Sequence, residues 1–281
     1  MKVSVRSLWL ATALGVGTLA TPLSHAQSWD VNAYNKAMKE SERTGELSAK
    51  EFARIQENKT KALVRIEKYL DERFGKADPL VLKAFKELPR EYYHYDYSTK
   101  RSFAASAYEA DAKPWAVGFG SALSDYLGQA YMTQALGVGP ESVVLEIGTG
   151  SGFQSSLLTR IAKKAYSIEI IEPLGKGVAK TYKPLKLDNV ETKVGDGFFG
   201  WPEVPGGFDA IIVTCAAQFV PQALFQQLKP GGKMLVPIGQ PFKRGQFLYI
   251  YSKDKDGKVT SKKDVGVFFI PMTGQMQKPK T

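Results

Sequence analysis

The first half of the chain shows the spacing of helices. Between residues 48 and 74, apolar side chains recur every three or four positions, which places them on one face of a helix. Ser48 and Glu51 have the spacing of a capping box at its start, and Gly75 supplies a stop at its end. Two shorter helical patterns cover residues 30–43 and 81–93. The first two helices predict an N-terminal helical arm that either packs on the main domain or reaches away from it.

From residue 143 onward, short apolar runs alternate with helical patterns. The runs predict strands over residues 143–147, 165–171, 190–196, 208–216, 233–239, 246–253 and 265–274. Helices are predicted over residues 153–163, 173–183 and 221–228. Such alternation requires a parallel sheet with helices on both faces. We predict an α/β fold with a mostly parallel, seven-stranded sheet, in which the runs 233–239 and 246–253 pair as antiparallel edge strands.

The first 26 residues have the pattern of an export signal. Lys2 and Arg6 precede an apolar run over residues 8–20, and the small residues Ser24 and Ala26 precede a cleavage point. The run is too short to cross the roughly 30 Å of a bilayer core, although a permanent anchor is the alternative. We therefore expect a periplasmic or secreted protein without stable membrane insertion. The predicted division is a signal peptide (1–26), a helical arm (27–77) and a main domain (78–281).

Charge and rare residues narrow the chemistry. The chain has 38 Lys+Arg against 28 Asp+Glu, a balance that favours acidic partners. The basic residues are scattered, and residues 253–264 mix both signs as a solvated hairpin does, so we predict no nucleic-acid partner. Cys215 is the single cysteine, and His94 is the one histidine that remains once the leader is removed. A histidine-based metal site and a Ser-His-Asp triad are therefore disfavoured, and no metal is predicted.

A glycine-rich turn follows the strand at 143–147. The stretch VVLEIGTGSGFQ has the spacing G-x-G-x-G, which differs from the dinucleotide fingerprint G-x-G-x-x-G, and it lacks the G-K-[ST] of a phosphate loop. Glu146 lies two residues before the first glycine, Gly148. A carboxylate at this position suits an ammonium group and repels a pyrophosphate.

Two further acidic residues follow the next strands. Glu169 ends the second strand, where it is placed to accept hydrogen bonds from ribose hydroxyls, although a solvated carboxylate is the alternative. Asp196 lies in Gly-Asp-Gly after the third strand, where it is placed to accept a bond from an adenine amino group; an ordinary turn is the alternative. A lining rich in carboxylates suits a sulfonium nucleoside, S-adenosylmethionine.

Several motifs together resemble the protein-L-isoaspartate O-methyltransferase family. They include VLEIGTGSGFQ, YSIEIIEPL, GDGFFGWPE, FDAIIVTCAA, VPQALFQQLKPGGKMLVPIG and FIPMTG, within residues 78–275. The resemblance implies a Rossmann-like S-adenosylmethionine-dependent methyltransferase fold. It also implies an enzyme that methylates the carboxylate of L-isoaspartyl residues in damaged proteins or peptides, as a repair reaction. We separately expect the protein to be a monomer. The residues predicted to contact the cofactor are Glu146, Gly148, Thr149, Gly150, Gly152, Glu169, Asp196, Gly197 and Thr273.

The segment that carries the family's active-site serine departs from the family pattern. The family has the form G-Q-T-I-S-Q-P-Y-M, whereas residues 120–132 read GSALSDYLGQAYM. An alignment that treats DYLG as an insertion places Ser124 at the serine position, and an ungapped alignment places Gly128 there. We predict Ser124 as the catalytic residue; a helix cap or loop residue is the alternative.

An export signal conflicts with a cofactor that is made in the cytosol. Two alternatives therefore stay open: a catalytically inactive protein that uses the fold to bind peptides or a partner, and a methyltransferase with another acceptor. An NAD-dependent oxidoreductase is disfavoured by the glycine spacing.

Overall fold

The computed structural model describes residues 29–240 and 245–275, so the predicted signal peptide lies outside the described residues. The helices are α1 (Val31–Glu40), α2 (Ala49–Phe74), α3 (Pro79–Glu87), α4 (Arg90–Tyr93), α5 (Tyr126–Leu136), α6 (Phe153–Ile161), α7 (Glu172–Ala179) and α8 (Gln222–Gln227). The strands are β1 (Tyr95–Asp96), β2 (Arg101–Ser102), β3 (Trp115–Gly118), β4 (Ser121–Leu123), β5 (Val143–Ile147), β6 (Lys164–Glu169), β7 (Val190–Val194), β8 (Phe208–Val213), β9 (Leu228–Ile238), β10 (Gln246–Lys253) and β11 (Val259–Val267).

The central sheet has seven strands in the order β11-β10-β9-β8-β5-β6-β7. The five neighbouring strands β9, β8, β5, β6 and β7 are parallel, and β10 pairs antiparallel with both β9 and β11. The predicted mostly parallel, seven-stranded sheet is confirmed, as is the antiparallel pairing of β9 with β10. The prediction that β10 lies at the edge is wrong, because β11 begins earlier than expected and covers it.

Helices cover both faces of the sheet. Successive side chains of a strand point to opposite faces, so one strand packs against helices on both sides. In β5, Val144 packs with Tyr131 and Leu136 of α5. Its neighbour Leu145 belongs to the cluster on the opposite face, which includes Leu224 of α8. This two-sided burial explains why β5 is almost entirely apolar.

The N-terminal arm packs on the main domain. Its α1 and α2 contribute to one hydrophobic cluster with Phe85 of α3 and Phe153 of α6. The arm is also bound through Glu91, which is fully buried and accepts hydrogen bonds from Trp29 Nε1 (2.9 Å) and Gln56 Nε2 (2.7 Å). The capping box of Ser48 and Glu51 is present at the start of α2.

Two regions near the sheet differ from the sequence-based expectations. The predicted strand over 265–274 is wrong beyond Val267, because the Gln246 side chain, instead of a strand neighbour, accepts the Phe269 N–H at 2.7 Å. Residues 268–275 (the C-terminal segment) then cross to the loop after β8, where Ala216 N donates to Ile270 O and Met272 N donates to Ala216 O, both at 2.9 Å. The short hairpin of β3 and β4 was not predicted. Among the helices of residues 29–240 and 245–275, none is long and apolar enough to cross a membrane.

Candidate functional site

A pocket lies at the carboxyl ends of β5, β6, β7 and β8, where an open parallel sheet binds its ligands. The hairpin of β3 and β4 and the C-terminal segment supply its other walls. The predicted site residues that line it are Ser124, Glu146, Gly148, Thr149, Gly150, Glu169, Gly197 and Thr273. The structure therefore brings together residues that are up to 149 positions apart in sequence, from Ser124 to Thr273. Gly152 and Asp196 lie directly beside this lining.

The turn after β5 requires glycine at two positions, because its geometry excludes side chains there. Gly148 has a φ of 99°, and a Cβ there would meet Thr214 Oγ1 at 2.7 Å. Gly152 has a φ of 83° and begins α6, where a Cβ would meet Val178 at 2.6 Å. Gly148 thus keeps backbone open at the pocket, whereas Gly152 allows α6 to pack closely on α7.

Glu146 places a buried carboxylate in the pocket wall. The side chain is fully buried, and its Oε2 accepts a hydrogen bond from Ser167 Oγ, which lies 2.6 Å from Thr149 Oγ1. Its Oε1 is buried without a hydrogen-bond partner among the described residues. Burial raises the pKa of Glu146 to about 8, partly offset by the Ser167 hydroxyl. An unpaired carboxylate oxygen of this kind fits an ammonium group, because the positive charge would compensate the burial of the ionised form.

Glu169 holds a second carboxylate at the end of β6. Its oxygens accept hydrogen bonds from Gly150 N at 2.8 Å and from Ile171 N at 3.0 Å. These two bonds fix the carboxylate against the glycine turn. Burial raises the pKa of Glu169 as well, although the backbone hydrogen bonds act in the opposite direction. Glu146 and Glu169 are the two acidic side chains in the lining that the structure describes.

Asp196 connects the third strand end to the C-terminal segment. One carboxylate oxygen accepts the Phe198 N–H and caps the short turn that follows, and the other accepts the Gln275 N–H, both at 2.9 Å. The C-terminal segment carries Thr273, so Asp196 positions a wall of the pocket. Its predicted contact with an adenine amino group stays a prediction.

Ser124 lies between β4 and α5, half-buried in the pocket wall. The buried Arg90 fixes its backbone, because Nη2 of Arg90 donates to the Ser124 carbonyl at 2.7 Å. The alternative residue, Gly128, lies in the first turn of α5, where its N–H is capped by Asp125 Oδ1 at 2.7 Å, and it is outside the lining. The DYLG sequence therefore forms the start of a helix, and the pocket is faced by Ser124.

Phe119, Thr214 and Cys215 are among the lining residues that were not predicted from the sequence. Thr214 Oγ1 donates to the Gly148 carbonyl at 2.6 Å and so stabilises the glycine turn. Cys215 is half-buried at the pocket, where burial raises the pKa of its thiol and keeps it protonated. Both residues directly follow β8, so the rule that located Glu169 and Asp196 would also have located them. Residues 29–240 and 245–275 contain no cluster of three or more His, Cys, Asp or Glu side chains that could hold a metal.

Comparisons with known proteins agree with this geometry. Residues 58–277 match the family model described as Protein-L-isoaspartate(D-aspartate) O-methyltransferase (PCMT). The chain is 50% identical over 161 residues to Protein-L-isoaspartate O-methyltransferase 1 of Nitrosospira multiformis, covering 57% of this chain and 67% of that protein. It is 40% identical over 205 residues to Protein-L-isoaspartate O-methyltransferase 2 of Syntrophobacter fumaroxidans, covering 72% of this chain and 79% of that protein.

Solved structures show the same fold. A protein-L-isoaspartate O-methyltransferase structure superposes with a TM-score of 0.66 at 26% identity, covering 78% of this chain and 67% of that chain. A putative protein-L-isoaspartate O-methyltransferase from Plasmodium falciparum, in complex with S-adenosyl-L-homocysteine, superposes with a TM-score of 0.59 at 21% identity, covering 74% of this chain and 97% of that chain.

Proposed function

The chain belongs to the Protein-L-isoaspartate(D-aspartate) O-methyltransferase family, and from this premise we infer that it is an S-adenosylmethionine-dependent enzyme that methylates the carboxylate of L-isoaspartyl residues in proteins or peptides. The observation that carries this inference is the pair of buried carboxylates, Glu146 and Glu169, beside a glycine turn that leaves the backbone open. The fold alone would permit many ligands, whereas this lining fits a cationic nucleoside.

The residues of the pocket have separate parts in this reaction. S-adenosylmethionine, when bound, supplies a methyl group on a positively charged sulfur. Glu146 would hold its ammonium group through the unpaired Oε1, and Glu169 would hold the ribose hydroxyls. The backbone at Gly148 and Gly150 would lie against the ligand, because both residues line the pocket and neither carries a side chain. Thr273 would contact the ligand from the C-terminal segment.

The acceptor carboxylate needs little activation. A carboxylate with an ordinary pKa near 4 is already ionised at neutral pH, so the protein does not require a strong general base. Catalysis then depends on alignment of the acceptor with the methyl group and on the exclusion of water. Ser124 would orient the acceptor from the hairpin side, since it lines the pocket and its backbone is fixed by Arg90.

Incubation with labelled S-adenosylmethionine tests this function directly. The protein should methylate an isoaspartyl peptide and leave the matched aspartyl peptide unlabelled. Label in both peptides would indicate another acceptor specificity. Binding of the cofactor by calorimetry without label in either peptide would indicate a protein that keeps the fold but not the activity, and either result would contradict the proposal.

We also propose that the enzyme is exported and works in the periplasm or outside the cell. The proposal is supported by the charges at Lys2 and Arg6, the apolar run over residues 8–20 and the small residues Ser24 and Ala26. Expression with fractionation tests it, and the mass of the exported protein should correspond to a chain that begins at Gln27. Recovery of the full-length chain in the cytosol alone would contradict it.

We further propose that the processed protein is a monomer without stable membrane insertion. Light scattering at several protein concentrations should give the mass of one chain, and the protein should remain in the supernatant after membranes are sedimented. A mass of two chains, or recovery with the membranes, would contradict this proposal.

A further inference from the structure

Exposed apolar side chains concentrate around the pocket. The large hydrophobic side chains that are exposed among the described residues are Val64, Phe74, Phe119, Ile170, Val194, Phe199, Val259 and Phe268. Two of them, Phe119 and Ile170, line the pocket, and three more (Val194, Phe199 and Phe268) lie within two residues of a lining residue. Exposed apolar side chains at a pocket opening offer a surface on which another apolar group can be buried.

Phe119 is held at the pocket opening by a rigid support. It forms the tip of the hairpin between β3 and β4, with 43% of its surface exposed and a φ of 54°. A bulky residue rarely adopts this left-handed conformation, and it persists only where the surrounding structure enforces it. Val117 and Leu123, in the strands on either side, are each only 1% exposed, and the Val117 carbonyl accepts the Tyr97 N–H at 2.9 Å. The buried strands therefore fix the backbone that carries this exposed aromatic ring.

Phe119 and Ser124 lie on the same wall of the pocket. They are five positions apart in sequence, a distance of at most about 16 Å in an extended chain. An extended peptide covers the same distance in about five residues. A substrate peptide whose reacting carboxylate lies near Ser124 would thus bring a neighbouring side chain under the Phe119 ring.

We propose that Phe119 is a specificity-determining residue that binds an apolar side chain of the substrate within about five residues of the isoaspartyl residue. This inference rests on the proposed function and adds to it a substrate class: isoaspartyl residues within apolar segments. Such segments are accessible mainly in unfolded or partly unfolded proteins, because folded proteins bury them. Contact with the ring lowers the free energy of the bound peptide by removing apolar surface from water.

A peptide series measures the effect. Each peptide carries one isoaspartyl residue in a background of serine and glycine, and a single leucine is moved through the five positions on either side. For the wild type, KM should fall by about fivefold to tenfold at one or two positions on one side, relative to the peptide without leucine. A KM that does not depend on the leucine would overturn the inference.

Two substitutions test the aromatic ring of Phe119 while keeping the backbone conformation at this position. Phe119→Asn removes the ring and keeps a residue type that tolerates a left-handed φ, so the hairpin is retained. It should abolish the leucine preference, so that KM becomes the same for every peptide of the series. Phe119→Tyr should keep the preference. Val64→Ala, which changes another exposed apolar side chain on α2, is the matched control and should leave the KM values unchanged.

The outcomes distinguish this inference from the proposed function. Methylation of the peptide without leucine, combined with equal KM values across the series, overturns the role of Phe119 and leaves the function intact. A leucine preference that survives in Phe119→Asn overturns the role of Phe119 as well. If the wild type methylates none of the peptides, the proposed function fails and the inference fails with it.

Discussion

Ser124 and Gly128 compete for the position of the family serine, and the structure separates them by placing only Ser124 in the pocket lining. We expect Ser124→Ala to lower kcat for the isoaspartyl peptide by about tenfold or more, because a polar group that orients the acceptor is lost. Gly128→Ala should retain kcat within about twofold, since the residue lies in α5 outside the lining. Steady-state kinetics of both variants checks the assignment, and a loss of activity confined to Gly128→Ala would reverse it.

Glu146 should make stability depend on pH. An unfolded chain releases the glutamate proton near pH 4.5, whereas burial keeps it on folded Glu146 up to about pH 8. The folded state therefore binds more protons in this interval, and the free energy of unfolding decreases as the pH rises from about 4.5 to about 8. Urea denaturation of the ligand-free protein should show this decrease, on the order of a few kcal/mol, relative to Glu146→Gln.

The same comparison has a clear negative outcome. If the difference in the free energy of unfolding between the wild type and Glu146→Gln stays constant across this pH range, Glu146 is ionised in the folded protein. S-adenosylmethionine should reduce the change of this difference with pH, because an ammonium group beside Oε1 stabilises the ionised carboxylate.

At the scale of elements, the glycine turn between β5 and α6 does not accommodate a side chain at Gly148. Gly148→Ala should destabilise the protein by about 1–3 kcal/mol and weaken cofactor binding, because alanine is strained at a φ of 99° and its Cβ would lie 2.7 Å from Thr214 Oγ1. Gly139→Ala is the control, as a Cβ there meets nothing within 4 Å. Thermal denaturation and calorimetry measure the two effects. Equal behaviour of both variants would show that the turn does not require a bare backbone.

Local signals predicted several elements well. The capping box of Ser48 and Glu51 and the stop at Gly75 gave the correct ends of α2, and the apolar run 143–147 gave those of β5. The acidic strand ends also predicted much of the pocket, because parallel strands bring their carboxyl ends to one edge of the sheet.

Features set by distant contacts were not predictable in the same way. The hairpin of β3 and β4 has strands of four and three residues, too short to show an alternating pattern. The course of the C-terminal segment depends on the Gln246 side chain and on Ala216, which are far away in sequence. The role of Phe119 was hidden for the same reason, since only the folded hairpin brings it to the pocket.

At the scale of the whole molecule, the arm and the main domain share one hydrophobic cluster and should unfold together. Glu91→Ala would leave Trp29, Gln56 and Tyr108 without their acceptor, so we expect a loss on the order of 3 kcal/mol in a single transition. Glu57→Ala, which removes an exposed partner of Lys61, should leave the midpoint nearly unchanged. Two separate transitions in calorimetry would show instead that the arm is an independent unit.

The C-terminal segment forms a wall of the pocket beside the carboxyl ends of strands that are synthesised long before it. A ribosome produces the glycine turn more than one hundred residues ahead of Thr273, so a nascent chain carries an incomplete ligand site until Thr273 has been synthesised. The complete cofactor site therefore exists only after residues 268–275 have emerged. Cofactor binding adds little to the stability of any shorter intermediate.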